Sequence, residues 1–106
     1  MKIRKEIFKT ENMENIRDEL YNLGISPILD GHWYWSLAID IARNNDDLSL
    51  KMCEIYKRVA EECESSPARV ERAMRYAIAP IKEVIRLEYN YDYKIDNRAF
   101  LALMSH

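Results

Sequence analysis

Residues 48–79 read Leu48-Ser49-Leu50-Lys51-Met52-Cys53-Glu54-Ile55-Tyr56-Lys57-Arg58-Val59-Ala60-Glu61-Glu62-Cys63-Glu64-Ser65-Ser66-Pro67-Ala68-Arg69-Val70-Glu71-Arg72-Ala73-Met74-Arg75-Tyr76-Ala77-Ile78-Ala79, and they decide the fold. Leu48, Met52, Ile55, Tyr56, Val59, Ala60 and Cys63 follow one another at intervals of 4, 3, 1, 3, 1 and 3. Such intervals stack apolar side chains on one face of an α-helix. The stripe stops at Ser65-Ser66-Pro67. There the Ser66 hydroxyl can accept a backbone N–H, and Pro67 suits the first helical position because its missing N–H would have had no partner. A second helix starts at once. At about 100° per residue, Val70, Ala73, Met74, Ala77 and Ile81 share one side, Glu71, Arg72 and Arg75 lie opposite, and Arg69 and Tyr76 fall at one edge. Two amphipathic helices, a short turn and outward arginines on the second are what a helix-turn-helix requires. The turn has Glu64 where glycine is customary, and Ala60 is small where the two helices must cross.

Upstream, Ile16, Leu20 and Leu23 mark a helix over roughly 14–23, with Gly24 where a left-handed cap falls. Ile25 to Gly31 is expected to be a connector, because Pro27 pushes Ser26 away from helical angles and Asp30-Gly31 is a turn pair. A helix from about His32 to Arg43 follows, and Asn44-Asn45-Asp46-Asp47 offers capping oxygens to the helix after it. Downstream, Pro80 removes a donor and crowds the carbonyl of residue 76, so the helix should kink or end near Ala79. Ile81 to about Tyr89 then runs at a new angle, residues 89–94 form a connector, and Asp96 or Asn97 caps a last helix carrying Phe100, Leu101 and Met104. The expected fold class is all-α, with about six helices. Residues 1–13, with Lys2, Arg4, Lys5 and Lys9, are expected to be a basic N-terminal arm, with residues 1–10 an arm or a frayed first turn; residues 14–106 should form a single helical domain with the helix-turn-helix at about 48–79.

Composition agrees. A chain of 106 residues has room for one core, and 48% apolar with 32% charged residues excludes global disorder. Two glycines and three prolines are too few for a sandwich of short strands. No window holds the ~18 uncharged apolar residues needed to cross a bilayer, so a cytoplasmic protein that meets no membrane is expected. Cys53 and Cys63 stand ten apart on one helix, ~15 Å along its axis, too far to bridge; buried free thiols are expected. The net charge of -2 does not announce a polyanion partner, but its distribution does. Residues 65–86 carry Arg69, Arg72, Arg75, Lys82 and Arg86 against Glu71 and Glu83, whereas residues 44–64 are acidic by three charges. Basic charge therefore sits on the second helix and the N-terminal stretch, where phosphates would be neutralised.

Other chemistries find less support. His32 and His106 have no metal-ligand spacing with Cys53 or Cys63, no nucleophile motif surrounds either cysteine, and Asp46-Asp47 lacks the glycine and later glutamate of a calcium loop. His32-Trp33-Tyr34-Trp35 is expected to pack in or beside the core rather than to stack on bases. Neither an enzyme nor a bound cofactor is expected.

The run Ser65 to Ile78, above all Arg69-Val70-Glu71-Arg72-Ala73, resembles the recognition-helix segment of the sporulation initiation response regulator family. The resemblance extends to Leu23-Gly24-Ile25, to Gly31 with the aromatic-rich helix bearing Tyr34, Ala38 and Ile39, and to Asn97 and Phe100-Leu101-Ala102-Leu103-Met104. It implies the family's C-terminal effector domain, all-helical and winged-helix-like without a sheet, reading short DNA boxes in the major groove. Arg69, Glu71, Arg72 and Arg75 stand where that family makes base and phosphate contacts. Three features depart from it: Tyr76 replaces a shorter polar ring, Pro80 interrupts the stretch after the recognition helix, and no receiver domain is expected before residue 14.

The expected function is that of a sequence-specific transcriptional regulator of double-stranded DNA. Arg72 and Arg75 would donate to guanine O6 and N7, Glu71 would accept from cytosine N4, and Arg69 and Ser66 would hold phosphate. Tyr76 would shift sequence preference. One such module buries only ~600–1,000 Å², so tandem sites and a dimer on DNA are expected, with RNA polymerase as a further partner. The alternative, favoured by net acidity and Pro80, is a protein-interaction module of the same fold that has lost DNA and acts on a regulator or RNA polymerase.

Overall fold

The computed structural model describes residues 5–45 and 51–105. Six α-helices carry them: α1 (Glu11–Leu23), α2 (Asp30–Arg43), α3 (Met52–Glu62), α4 (Pro67–Ile78), α5 (Lys82–Tyr89) and α6 (Asn97–Met104). Short 3-10 turns lie at Lys5–Phe8 and Ala79–Ile81, and no strand occurs among the described residues. The all-α expectation is met.

The helix ends have local causes. Thr10 accepts from the Met13 N–H at 3.2 Å, so α1 begins at Glu11, three residues earlier than its apolar periodicity suggests. Phe8 and Met13 are buried, and Phe8 meets the edge of Trp33 with ring centroids 5.0 Å apart. The described part of the basic stretch is thus folded onto the helices rather than held away as an arm; Lys2 and Arg4 lie outside the described residues. At the other end of α1, Gly24 takes φ +108° and the Leu20 carbonyl accepts from the Ile25 N–H at 3.0 Å. Glu64 and Asn90 occupy the same left-handed place after α3 and α5, at φ +51° and +50°. Ser65 N–H closes the first of these ends on Ala60 at 2.9 Å, and Tyr91 N–H closes the second on Arg86 at 3.0 Å.

Two expectations are corrected here. Asn44 caps the end of α2, donating to the Asp40 carbonyl at 2.9 Å, and the N-cap position of α3 is Lys51, which makes no side-chain cap bond. Asp46, Asp47 and Leu48 lie outside the described residues. Asp30-Gly31 is not a turn but the first two residues of α2. A Cβ on Gly31 would stand 2.5 Å from the Ala73 carbonyl oxygen and 2.7 Å from the Ala77 Cβ, so glycine is required by the close approach of α2 to α4. Pro80 ends α4 as expected: the helix stops at Ile78, and a 3-10 turn through Ala79–Ile81 leads into α5.

The core holds α4 against α2, α3 and α6. Trp35 is fully buried; its indole N–H donates to the Met74 carbonyl at 2.9 Å and its ring meets Phe100 edge-on at 4.7 Å. Arg43 ties three elements together from the rim, pairing with Glu19 at 3.1 Å and donating to the Met104 carbonyl at 2.9 Å. The thiols divide: Cys63 is buried and pushed up to about 11, mainly by desolvation, whereas Cys53 is exposed, against the expectation that both are buried. Both are free.

Ala60 is buried at the α3–α4 crossing with Val59, Cys63 and Val70. Ala60→Leu should overpack it and lower stability by ~1–3 kcal/mol. A parental melting temperature for that variant would show that the helices do not cross there.

His32 packs inside, and its two ring nitrogens both have partners. Nδ1 lies 2.9 Å from the Ile25 carbonyl and Nε2 accepts from Arg17 Nε at 3.4 Å, which fixes a neutral ring with its proton on Nδ1. Burial lowers its pKa from 6.5; the Ile25 bond opposes this and the Arg17 charge adds to it. The unfolded chain therefore takes up a proton that the folded one resists, and stability rises with pH across this window. The contribution should be complete above pH 6.5 and lost progressively below it. Urea midpoints between pH 5 and 7.5 measure it, and His32→Gln should flatten that part of the curve.

Candidate nucleic-acid interface

The Ser66 hydroxyl accepts from the Arg69 N–H at 3.3 Å and Pro67 occupies the first helical position, so α4 begins as its sequence dictates. Val70, Met74, Ala77 and Ile78 are buried on one side. On the other, Arg69, Arg72, Arg75 and Tyr76 are exposed, with Tyr76 at 60%. All three arginines expected at the interface thus lie on one solvent face, with Ser66 at its N-terminal end.

Their surroundings differ. Arg72, at the centre of the face, has no hydrogen bond or ion pair among the described residues. Arg69 stands over a cavity of about 300 Å³ lined by Tyr34, Glu64, Ser65, Arg72 and Tyr76, in which the Tyr34 hydroxyl donates to Ser65 Oγ at 3.2 Å. Burial raises the pKa of that hydroxyl, so it stays a neutral donor. Arg75 is engaged: its Nε lies 2.8 Å and its Nη2 3.5 Å from the two carboxylate oxygens of Glu71, and its guanidinium sits 5.0 Å from the Tyr76 ring centroid. Glu71, expected to be available to a base, is half-buried and committed to this pair. Arg86, which added to the basic count of this region, is turned away to Glu83 at 2.9 Å and the Tyr93 carbonyl at 3.4 Å.

Sequence reasoning missed two features beside this face. Asn97 is buried at the start of α6 and donates to the Tyr56 hydroxyl at 3.1 Å and to the Glu71 carbonyl at 3.3 Å, pinning the middle of α4. Its Oδ1 is buried without a partner among the described residues. Its sequence signals are its part in the family resemblance and its place beside Asp96, which does the capping, accepting from the Ala99 N–H at 2.9 Å. Ile28 and Leu29, read as connector, are exposed beside Tyr76 around a cavity of about 320 Å³. Their exposed apolar character is visible only once α2 is placed against α4.

The chemistry offered is a convex row of guanidinium donors with a helix N-terminus at one end. Such a row suits phosphate oxygens and guanine edges. Among the described residues no helix is long and apolar enough to cross a membrane, and no group of three metal-ligating side chains forms. Comparison with known families matches the family described as "Sporulation initiation factor Spo0A C terminal" over residues 16–105. No curated protein and no solved structure matches the chain.

Proposed function

The chain belongs to the Spo0A C-terminal family, the DNA-binding effector domain of a sporulation regulator, and on that premise we propose that it reads duplex DNA sequence-specifically, with α4 in the major groove. The observation that carries this reading is the row Arg69, Arg72 and Arg75 on the solvent face of a helix whose other face is locked into the core. Arg72 and Arg75 present the planar forks that guanine O6 and N7 accept from, and Arg69 with Ser66 and the first turn of α4 suits a phosphate. Tyr76, at the edge of the row, sets preference at the flank.

A single domain of this size makes a small footprint, so two copies would occupy tandem boxes. Contact with RNA polymerase is a second proposal, favoured by Val84 and Leu87, which stand exposed on α5 at 43% and 82%. Selection from a random DNA pool, followed by salt titration on the selected box and on a random duplex, tests the reading. Expected are one recovered box, tighter binding to it than to random DNA, and affinity for both that falls steeply as salt rises. Absence of binding to either duplex at low salt would leave the interaction-module alternative in its place.

A further inference from the structure

We propose that Glu71 is a positioning residue for Arg75 rather than a reader of cytosine: it aims Arg75 at a base and withholds it from the phosphate backbone. This rests on the DNA-reading role given to α4 above and deepens it. Glu71 occupies one edge of the guanidinium, Nε at 2.8 Å and Nη2 at 3.5 Å. That leaves Nη1 and the outer hydrogen of Nη2, the end-on pair of parallel donors that can span guanine O6 and N7. The Tyr76 ring, 5.0 Å away, bounds the guanidinium on another side.

Glu71 is placed to hold rather than to read. On the helix it stands about 100° round from Arg72, whereas Arg75 stands about 60° away on the same side, so Arg75 lies between Glu71 and the centre of the exposed face. Its side chain is also less exposed than its partner's, 36% against 54%. The Asn97 bond to its backbone carbonyl fixes where the carboxylate starts. Swinging Arg75 to a phosphate would abandon the Glu71 carboxylate beside a polyanion, a repulsive element that penalises every register except the one with a guanine in line. A free arginine would have no such constraint and would also lose more side-chain freedom on binding.

The test measures affinity for the selected box and for a random duplex, in the parent, Glu71→Gln, Glu71→Asp, Arg75→Ala and the double variant Glu71→Gln with Arg75→Ala. Glu71→Gln should tighten random-duplex binding, steepen its log–log salt slope by about 0.9 as Arg75 gains a phosphate, and lower the box-to-random ratio roughly 3- to 10-fold. Glu71→Asp, which keeps the charge, should fall between that variant and the parent. In the Arg75→Ala background Glu71→Gln should not lower the ratio further, because the interaction it acts through is already gone. Thermal melting should be near parental throughout, since Arg75 is exposed and the half-buried Glu71 carboxylate lies at the surface outside the apolar core. An unchanged ratio in Glu71→Gln overturns the proposal. So does a loss of box affinity that persists undiminished in the Arg75→Ala background, which would mark Glu71 as a reader of the base itself. A parent with no preference for any box would overturn the DNA-reading role of α4 and this inference with it, whereas a selective parent with either of the preceding results overturns this inference alone.

Discussion

Trp35→Ala should remove ~3–5 kcal/mol from the free energy of unfolding. That is a large share of the ~5–15 kcal/mol by which a domain is ordinarily stable, so the variant should melt far below the parent or populate the unfolded state at room temperature. The size of the effect follows from what the indole does. It is the largest fully buried side chain, its N–H is satisfied by the Met74 carbonyl of α4, and its ring closes on Phe100 of α6. Truncation leaves a cavity between three helices and takes a donor from a carbonyl inside the domain. Trp35→Phe separates the two losses: the aromatic contact with Phe100 is largely kept, the donor is not, and the cost should fall to ~1–3 kcal/mol. Urea unfolding with a shared m-value measures both. A Trp35→Ala variant within about 1 kcal/mol of the parent would mean that α4 is not anchored through this residue, on the scale set for large-to-small core changes.

That anchoring also shows what the sequence could and could not disclose. Periodicity and punctuation report the face a residue shows and the place a helix stops. The stripe through Ile55, Val59 and Cys63, the Ser66-Pro67 start, the Gly24 end and the Pro80 break are local, and each lies where its residues placed it. Partners distant along the chain are not written in a period. Trp35 and Met74 are 39 residues apart, and nothing in the aromatic run around Trp35 says that its N–H finds a carbonyl of α4. Gly31 read as turn chemistry because glycine after aspartate is common in turns; its real cause, an α4 backbone close enough to exclude a Cβ, exists only in the folded chain. Glu71 and Arg75 differ in kind. They stand at the spacing that pairs opposite charges on a helix, so their ion pair is legible in the sequence beside the base contacts expected of each.

Arg72→Ala and Arg75→Ala should each lower affinity for the selected box by ~1–3 kcal/mol, and together by ~2–6 kcal/mol, while relaxing preference at the base pair each one reads. The single effects need not be equal. Arg72 is free of ion pairs among the described residues and must be ordered on binding, whereas Arg75 is already held by Glu71 and arrives with less freedom to lose. Both side chains are exposed, so their removal should leave the melting temperature near the parent's, and the loss can be assigned to recognition. The contrast is with Lys2, Arg4 and Lys5: replacing them should weaken binding about equally on every sequence and flatten the salt slope by ~0.9 for each phosphate no longer neutralised. Two kinds of basic residue thus leave two signatures, one in the ratio of box to random affinity and one in the dependence on salt. Folded Arg72→Ala and Arg75→Ala proteins that keep the parental ratio would remove α4 from the role of reader, and the exposed basic row would then be only a solvated face.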